Sequence, residues 1–524
     1  MKRLLLLPLI MMLLTFHCST PVNPQEQGNA ETSQEAQVNK EAAEQEATTE
    51  PASEPKQGEP TPDVSEDASS NEEPSTQQDN APGPDEPEVK EETPDTTQVS
   101  CSDIATFATG KSPTRTLYVG PKGSNTSGDG SEQKPYATLE FAVKKATPGT
   151  AVRMLPGTYK RRDNITDVQG TASAPIWVGG IPGQPRPILE GGSEGIHLTK
   201  VSYLVLENIE IRNTKNNGIN SDDGGEYNND KATQYVVFRN LHIHDVGGTG
   251  NQDCLKLSGL RHYYVLDSLF EKCGGKSSGS GVDHVGCHHG LIARNTFRNL
   301  NGNAVQNKGG STDIEIRWNK MMNSGERAVN MGGSTGFAYF RPPLSKSSTN
   351  AEARNIRVIA NLIQGSNAPV AFVGCVDCLA ANNTIVDPKT WVLRILQETK
   401  TSNGYTFAPA SKGRFINNLI YFKRSQIRTY MNIGANTEPK TFTLSNNLWF
   451  AYDDASRSKP SGLPVAEANG LYGKNPEFVD GGKGDYQLKS SSPALGAGMS
   501  LKEVVGALNS KCFQTPPSIG AYEE

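Results

Sequence analysis

A short motif that recurs between residues 203 and 449 constrains the fold of this chain more than any other feature. Each copy is a run of apolar residues, an Asn or Asp with further apolar residues, a polar turn and a second short strand. Where no insertion intervenes, copies follow every 22–28 residues, the length of one β-helical turn. The copies start at Tyr203, Tyr235, Tyr263, Gly290, Ile314, Ile356, Leu379, Phe415 and Phe442. Because each turn buries its inward side chains only by stacking on its neighbours, the repeat predicts an all-β, single-stranded right-handed parallel β-helix.

The recurring Asn has a physical reason in such a coil. Its side chain tolerates left-handed backbone geometry, and its amide can bond to the same Asn one turn later. A leucine-rich repeat would instead show Leu every two or three residues, and a propeller would need longer, four-stranded blades. The pattern therefore favours the β-helix over both.

Both ends of the repeated region carry segments expected at the ends of a β-helix. Residues 117–124 and 134–143 resemble the entry segment of bacterial β-helix proteins, which implies a first strand and a short helix that caps the open N-terminal end. Residues 475–498 resemble the closing segment of the same proteins. Over nearly all of 115–524 the chain resembles the pectin-lyase-like β-helix proteins of bacteria. Enzymes and non-enzymes share that fold, so the resemblance implies the fold more than the activity.

Residues 1–18 predict export. Lys2 and Arg3 precede an apolar run, residues 4–16, that is too short to span a bilayer and reads as a signal segment. The run ends at Cys18 and resembles a bacterial lipoprotein signal, which implies acylation of Cys18 and attachment to the outer membrane. The alternative is an ordinary secreted protein that is cleaved nearby. We therefore expect a cell-surface lipoprotein or a secreted protein.

Residues 19–100 form a predicted disordered, acidic linker, and residues 101–524 form the β-helix domain. The linker has almost no aromatic or branched apolar residues to bury, and it carries 21 acidic and three basic residues. The domain carries 46 basic and 36 acidic residues, a net charge of about +10. This charge either attracts an acidic polysaccharide or simply balances the linker. We expect a monomer with no nucleic-acid partner.

Eight cysteines in an exported chain favour disulfides over metal thiolates. Cys101 and Cys512 bracket the domain and are predicted to join its ends. Cys375 and Cys378 predict a local disulfide or two unpaired thiols, since no thioredoxin-like pattern surrounds them. One of the three remaining cysteines is expected to be free; these are Cys254, Cys273 and Cys287.

Aligning the second strand of each turn predicts one outward polar face. Strand alternation places the third and fifth residues of each aligned segment outside the coil, about 4.8 Å from their counterparts in the next turn. The third position reads Asn220, Lys256, Asp283, Gln306, Asn330 and Ala371, and the fifth includes Asp222, Lys308 and Gly332. This face predicts a site for an extended polymer.

The residues on this face suit a polysaccharide lyase that works by β-elimination. Such an enzyme neutralises a uronate carboxylate with Ca²⁺ or a basic side chain and removes the adjacent proton with Lys or Arg. The chain resembles the calcium-dependent pectate, alginate and chondroitin lyases at 251–259 and at Asn307–Lys308. The implied catalytic residues are Lys308, Lys256 and Arg327. The implied calcium ligands are Asp222, Asp223, Asp253 and Asp283.

Neither lyase pattern is complete in this chain. The spacing from Asp253 to Lys256 is shorter than in the pectate lyase family, and Asn301 and Asn303 stand where the alginate lyase family has acidic calcium ligands. Each candidate also has a structural alternative, since a lysine on a β-helix face is commonly just solvated, and Asp222-Asp223 before two glycines is also a turn signal.

An insertion at residues 337–344 carries two candidate sugar contacts, Tyr339 and Arg341. Its aromatic side chains predict either one wall of a glycan groove or a buried lid, and Arg394 would extend that wall. The predicted substrate contacts are Asp283, Gln306, Asn330, Tyr339, Arg341 and Arg394. The competing functions are a glycoside hydrolase, which needs paired carboxylates, and a non-catalytic glycan-binding or adhesive surface lipoprotein.

Overall fold

The computed structural model describes residues 101–160, 162–248, 250–275 and 279–524. The predicted signal peptide (1–18), the predicted linker (19–100) and Cys18 lie outside the described residues. Within the described ranges, no helix combines the length and the apolar character needed to cross a membrane.

Three long sheets of parallel strands wind along a right-handed coil, as the repeat predicts. Sheet 1 contains Arg115–Val119, Thr150–Met154, Ile176–Gly180, Ser202–Glu207, Thr233–Arg239, Leu260–Leu266, His288–Ala293, Ser311–Arg317, Ala353–Arg354, Arg357–Ile359, Cys375–Val376, Leu379–Ala381, Arg414–Ile416 and Thr443–Ser445. Sheet 2 contains Thr158–Tyr159, Ile188–Glu190, Glu210–Arg212, His242–Val246, Leu269–Cys273, Thr296–Leu300, Lys320–Ser324, Leu362–Gln364, Thr384–Val386, Leu419–Phe422, Leu448–Ala451 and Leu471–Tyr472. Sheet 3 contains Asp163–Thr166, Ile196–Thr199, Ile219–Asp222, Leu255–Ser258, Val282–Val285, Asn303–Lys308, Arg327–Gly332, Ala368–Val373, Leu393–Leu396 and Met431–Ile433.

Each complete turn has three strands, where the motif suggested two. The apolar residues after the recurring Asn form their own short strand in sheet 2, such as His242–Val246 directly after Asn240. A single residue with positive φ, Asn240 in that turn, bends the chain between sheets 1 and 2. The bend is so sharp that both strands appear in the sequence as one apolar run.

The core is a stack of inward side chains in register. In sheet 2, Ile243 pairs with Phe270 and Phe270 with Phe297, and the two phenylalanine rings stack 5.1 Å apart. All three are fully buried. Each large side chain buried in this way stabilises the fold by about 1.5–3 kcal/mol. A shift of one residue in a strand would turn these side chains outward, so their burial fixes the register and with it the residues that face solvent.

A buried asparagine ladder runs along the bend between sheets 1 and 2. Its members are Asn295, Asn319, Asn361, Asn383, Asn418 and Asn447, and each of the first five donates its side-chain and backbone N–H to the side-chain oxygen of the next. The predicted side-chain bonding is therefore confirmed. The left-handed residue precedes the ladder residue, as Ala360 precedes Asn361. In earlier turns the bend residue is itself an Asn, Asn208 or Asn240.

The ends of the coil are closed as the sequence predicts. Helix Leu139–Val143 caps the N-terminal end and buries Leu139, Ala142 and Val143, and the side chain of its N-cap residue, Thr138, accepts a hydrogen bond from the Phe141 N–H. Near the C-terminus, Phe478–Asp480 and Asp485–Leu488 form an antiparallel pair. A further parallel pair, Thr349–Asn350 with Thr406–Phe407, and four 3₁₀ turns complete the described elements; the turns are Phe337–Tyr339, Pro439–Thr441, Ala455–Arg457 and Gly481–Lys483.

The cysteines pair as disulfides, as expected of an exported domain. Cys101 is bonded to Cys512, which joins the two ends of the domain, and Cys375 is bonded to Cys378. Cys254 is bonded to Cys273, so Cys287 is the thiol left free and buried among the described residues. Burial raises the pKa of this thiol to about 12. It is therefore protonated and inert at neutral pH.

Candidate functional site

One outward column of sheet 3 carries the predicted polar face. Asn220 pairs with Lys256, Lys256 with Asp283, Asp283 with Gln306, and Gln306 with Asn330. This confirms the third-position alignment made from the sequence, and we call these five residues the site column. The register also continues through Ala371 to Arg394 and Asn432.

Two lysines from different turns converge on Asp283 at the centre of the site column. The ammonium of Lys256 donates a hydrogen bond to Asp283 Oδ2, and Lys308 Nζ lies 3.7 Å from the same oxygen. Lys256 Nζ is also 3.7 Å from Asp253 Oδ2. The side chains of Asp253 and Asp283 are only 1% and 2% exposed, whereas that of Lys256 is 16% exposed. The two carboxylates are therefore buried, and the side chain of Lys256 lies between them and solvent.

The two aspartates differ in protonation because of their neighbours. Burial and the charge of Asp283 raise the pKa of the Asp253 carboxyl to about 7. Burial acts in the same direction on Asp283, but the positive charges of Lys256 and Lys308 outweigh it and lower the pKa of Asp283. Asp283 is thus a carboxylate at neutral pH, and Asp253 is partly protonated.

Next to this centre on sheet 3, an arginine, a glutamate and three amide side chains form further hydrogen bonds. Arg327 NH2 donates to Glu398 Oε1 at 2.6 Å, and its NH1 donates to Asn330 Oδ1 at 3.3 Å. Asn303 Nδ2 donates to Gln306 Oε1 at 3.1 Å. The arginine and the glutamate are 14% and 18% exposed, so both remain within reach of a ligand.

Lys308 lies near the site column in a different register from the one predicted. The sequence alignment placed it opposite Gly332, but a bulge shifts the pairing so that Asn307 is opposite Gly332. Lys308 is the last residue of strand Asn303–Lys308, and its side chain is 8% exposed. Its ammonium still lies near Asp283, because the bulge shifts only the pairing with strand Arg327–Gly332. The pairing with strand Val282–Val285 stays in register, with Val285 opposite Lys308.

The structure does not bring the four predicted calcium ligands together. Asp222 is bonded to His197 Nε2 at 2.6 Å and to the Gly224 N–H at 3.0 Å. Asp223 forms a two-pronged ion pair with Arg341, with distances of 2.6 and 3.1 Å. In the described part of the chain, these aspartates do not form any group of three ligand atoms close enough to share one ion.

The two remaining predicted ligands, Asp253 and Asp283, do not fit a calcium ion as they stand. The Lys256 ammonium occupies the space on which both carboxylates converge, and Lys308 adds a second positive charge beside Asp283. Calcium takes six to eight oxygen ligands, usually with a net negative charge. The two lysines cancel the charge of the two aspartates, so the site lacks the excess of negative charge that would attract the ion.

The insertion that carries Tyr339 and Arg341 is partly a lid. Phe340 and Arg341 are buried, and the Arg341 guanidinium stacks 4.2 Å over the ring of Tyr227. Arg341 is therefore a buried structural residue that forms an ion pair with Asp223, and the prediction that it is an exposed sugar contact is wrong. Tyr339 is only partly buried, and its carbonyl accepts a hydrogen bond from Arg341 NH1 at 2.9 Å.

Arg394 keeps its predicted place in register with the site column but is buried. Its guanidinium lies 4.4 Å over the ring of Trp391, and its Nε donates to Asn432 Oδ1 at 3.0 Å. It is 5% exposed. Its present contacts therefore stabilise that end of sheet 3.

Sequence reasoning missed Glu352, which fixes the insertion to the site. Its carboxylate accepts hydrogen bonds from the Gly309 N–H and the Thr335 N–H at 2.8 and 2.9 Å, and from the hydroxyls of Thr335 and Thr399. Burial outweighs these bonds and raises the pKa of Glu352. It lies in a polar loop without periodicity, so no sequence signal pointed to it.

Residues 117–309 match the family model of the right-handed β-helix region of Pel9A-like proteins. None of the curated proteins matches the chain. Similar solved structures include pectate lyase Pel9A, with 16% identity, a TM-score of 0.47, and coverage of 81% of this chain and 99% of that one. An alginate lyase from Paenibacillus sp. str. FPU-7 has 13% identity, a TM-score of 0.41, and coverage of 63% and 99%. An endo-xylogalacturonan hydrolase from Aspergillus tubingensis has 13% identity, a TM-score of 0.39, and coverage of 68% and 100%.

Proposed function

We propose that this protein is a polysaccharide lyase that cleaves an acidic polysaccharide by β-elimination. The observation that carries the proposal is the convergence of Lys256 and Lys308 on Asp283 along an outward column of sheet 3. The match of residues 117–309 to the Pel9A-like β-helix region supports the same class of activity. The basic charge of 101–524 supports an anionic substrate.

The two lysines have different roles in the proposed reaction. The Lys256 ammonium lies against the two carboxylates of Asp253 and Asp283, so it supplies a fixed positive charge to the uronate carboxylate. Lys308 has one carboxylate at 3.7 Å, and it acts as the base after its ammonium group has released a proton to solvent. It takes the proton next to the uronate carboxylate, the electron pair forms a ring C=C bond, and the glycosidic C–O bond breaks. The leaving oxygen takes a proton from solvent.

Arg327 supports substrate binding in this proposal. Its guanidinium is partly exposed, and a planar guanidinium binds a carboxylate with two parallel hydrogen bonds. Glu398 holds it at 2.6 Å and would have to share it with a second uronate. The calcium ion expected from the sequence has no step here, because Lys256 supplies the positive charge between the aspartates.

The test is a screen of the purified protein on acidic polysaccharides, with calcium and with chelator. We expect an unsaturated, ultraviolet-absorbing product on at least one polyuronate, with the same rate in both conditions. Lys308→Ala should abolish the product, whereas Lys320→Ala, an exposed lysine on sheet 2, should leave it unchanged. No absorbance on any polyuronate would reject the proposal, and activity that needs calcium would reject the role of Lys256.

A glycoside hydrolase is the second candidate, and one observation favours it. The pKa of Asp253 is raised to about 7 and that of Asp283 is lowered, which is the pattern of an acid and a base in a carboxyl pair. Their burial beneath Lys256 opposes direct contact with a sugar. New reducing ends without ultraviolet absorbance would favour hydrolysis. Glycan binding without any new ends would favour a non-catalytic adhesive protein.

We also propose that the protein is exported and anchored through Cys18. The support is the sequence at 1–18 and the three disulfides, which suit an oxidising compartment. Radiolabelled palmitate should be incorporated into the wild-type chain and not into Cys18→Ala. Unlabelled wild-type protein in the medium would instead indicate an ordinary secreted protein.

A further inference from the structure

Glu210, His242 and His244 form a compact group on sheet 2, on a different sheet from the site column. Glu210 pairs with His242 in adjacent strands, and the two histidines alternate onto the same face of one strand. Their imidazole rings stack with centroids 4.3 Å apart. One ligand atom from each of the three residues lies within 4.8 Å of the others, which no other acid, histidine or cysteine triad in the described ranges achieves.

Outer carboxylates orient both imidazoles. His244 Nδ1 is 2.6 Å from Asp245 Oδ2, and His242 Nε2 is 3.0 Å from Glu271 Oε2. In protein metal sites, a ligating histidine almost always donates its second ring nitrogen to a carboxylate or carbonyl, which fixes the ring. Each histidine therefore has an oriented ring and one nitrogen left for an ion.

In the His244 tautomer that carries its proton on Nδ1, no hydrogen atom lies between His244 Nε2 and Glu210 Oε1. When Nδ1 donates to Asp245, Nε2 presents a lone pair, and that nitrogen faces Glu210 Oε1 at 3.5 Å. Two acceptors then face one another on a surface where the three side chains are 18–22% exposed. A cation between them would use both lone pairs.

Nearby positive charges set the limits of the site. Arg212 NH1 donates to Glu210 Oε1 at 3.0 Å, and Arg298 and Lys272 each lie 3.5 Å from Glu271 and Asp245 respectively. Arg298 and Lys272 contact the outer carboxylates, and Arg212 donates to the same Glu210 oxygen that faces His244. None of these three side chains has a hydrogen bond to a histidine nitrogen among the described contacts. The ligand set left is two imidazoles and one carboxylate, a set that zinc uses commonly and calcium does not.

We propose that Glu210, His242 and His244 bind a divalent transition-metal ion of the zinc class, with water completing the coordination. The ion would link two successive turns of the coil through Glu210 on one strand and the histidines on the next. It stands apart from the proposed catalysis, since none of its ligands lies in sheet 3.

The test is a titration of chelator-treated, tag-free protein with Zn²⁺ by calorimetry, and with Co²⁺ by visible absorption. We expect saturable binding of one metal ion per chain, a visible spectrum typical of four- or five-coordinate Co²⁺, and a higher melting temperature in the presence of Zn²⁺. His244→Ala and Glu210→Gln should each weaken binding at least tenfold. His289→Ala, an exposed histidine on sheet 1, should bind as wild type.

Binding of one equivalent that persists in His244→Ala and in Glu210→Gln would overturn the assignment, and so would the absence of saturable binding in the wild type. Circular dichroism of each variant checks its fold. If His244→Ala is misfolded, Glu210→Gln alone decides, because it preserves the size of the side chain. Lyase activity on a polyuronate is measured separately, so failure of one proposal leaves the other untouched.

Discussion

Two polar stacks run along this coil, and they differ in whether their buried atoms have partners. In the asparagine ladder, which lies wholly within the described residues, every side-chain oxygen and nitrogen has a hydrogen bond. In the site column and its neighbour Asp253, two buried carboxylate oxygens, Asp283 Oδ1 and Asp253 Oδ2, have none. Leaving such an atom unsatisfied costs about 1–3 kcal/mol. All hydrogen-bonding groups of the ladder are thus satisfied, whereas the two carboxylates at the column depend on the charges of Lys256 and Lys308.

Composition sharpens this contrast. The ladder repeats one neutral side chain that is both donor and acceptor, so each turn satisfies the next. The column mixes Lys256, Asp283 and Gln306, which cannot satisfy one another in a repeating way. A polar stack that does not repeat is therefore the better guide to function in this fold.

The largest expected effect is on the ladder. Asn361→Ala removes the acceptor of the Asn319 backbone and side-chain N–H groups. It also removes one hydrogen-bond donor from each of the Ile316 and Ile359 carbonyls. We expect a loss of about 3–5 kcal/mol in the free energy of unfolding, measured by denaturant titration. Asn216→Ala, at an exposed loop position, is the control and should change it by less than about 0.5 kcal/mol. A small effect at Asn361 would break the comparison.

Lys256→Met should have a smaller effect on stability and a complete effect on activity. Removing one partner from a buried ion pair costs about 3–5 kcal/mol, but Asp253 can take up a proton and relieve part of that cost. We therefore expect about 1–3 kcal/mol, measured by thermal unfolding, together with loss of the ultraviolet-absorbing product. Retained activity would show that the column does not need this charge.

Glu352→Gln tests whether a buried polar group near the site, with all of its hydrogen bonds made, contributes to stability as the ladder asparagines do. The amide NH₂ of Gln would face at least one N–H donor now bonded to the carboxylate, either from Gly309 or from Thr335. We expect about 1–3 kcal/mol of destabilisation and faster hydrogen exchange in the insertion 333–352. Unchanged exchange there would separate Glu352 from the stability of the insertion.

A further expected effect is a pH dependence of stability that comes from Asp253. Its folded pKa of about 7 exceeds its ordinary value of 3.8, so the unfolded chain releases this proton at lower pH than the folded one. The contribution of Asp253 to stability is therefore complete below about pH 4 and is lost as pH rises towards and through 7. Asp253→Asn should flatten this decline in melting temperatures measured between about pH 4 and pH 8. An identical decline in the variant would contradict the shift.

The fold could be predicted because its signal is repeated. Strand alternation and the recurring Asn gave the coil, the outward column and the ladder, and each turn tested the register of the next. The third strand in each turn was hidden, because a one-residue bend such as Asn240 leaves no break in the apolar pattern.

The parts of the site that escaped prediction depend on contacts that do not repeat. Arg341 reaches Asp223 across 118 residues, and Glu352 lies 43 residues from Gly309. Nothing in local periodicity links such pairs. The bulge beside Lys308, where the register shifts between Gln306 and Asn307, likewise has no signature in the repeated pattern. Aligned strands therefore predicted which residues share a face, but not which of them bind each other.

The disulfide between Cys101 and Cys512 changes how this coil can come apart. A stack of turns ordinarily frays from its termini, where each turn has one neighbour instead of two. Here the first and last segments are tied across a sequence separation of 411 residues, so neither can peel away alone. Unfolding is then expected to begin in the interior of the coil, by local separation of two neighbouring turns. If the protein is exported as proposed, the bond also bears on proteolysis, because proteases preferentially attack loose termini and the segment from Cys101 to Cys512 has both of its ends held together.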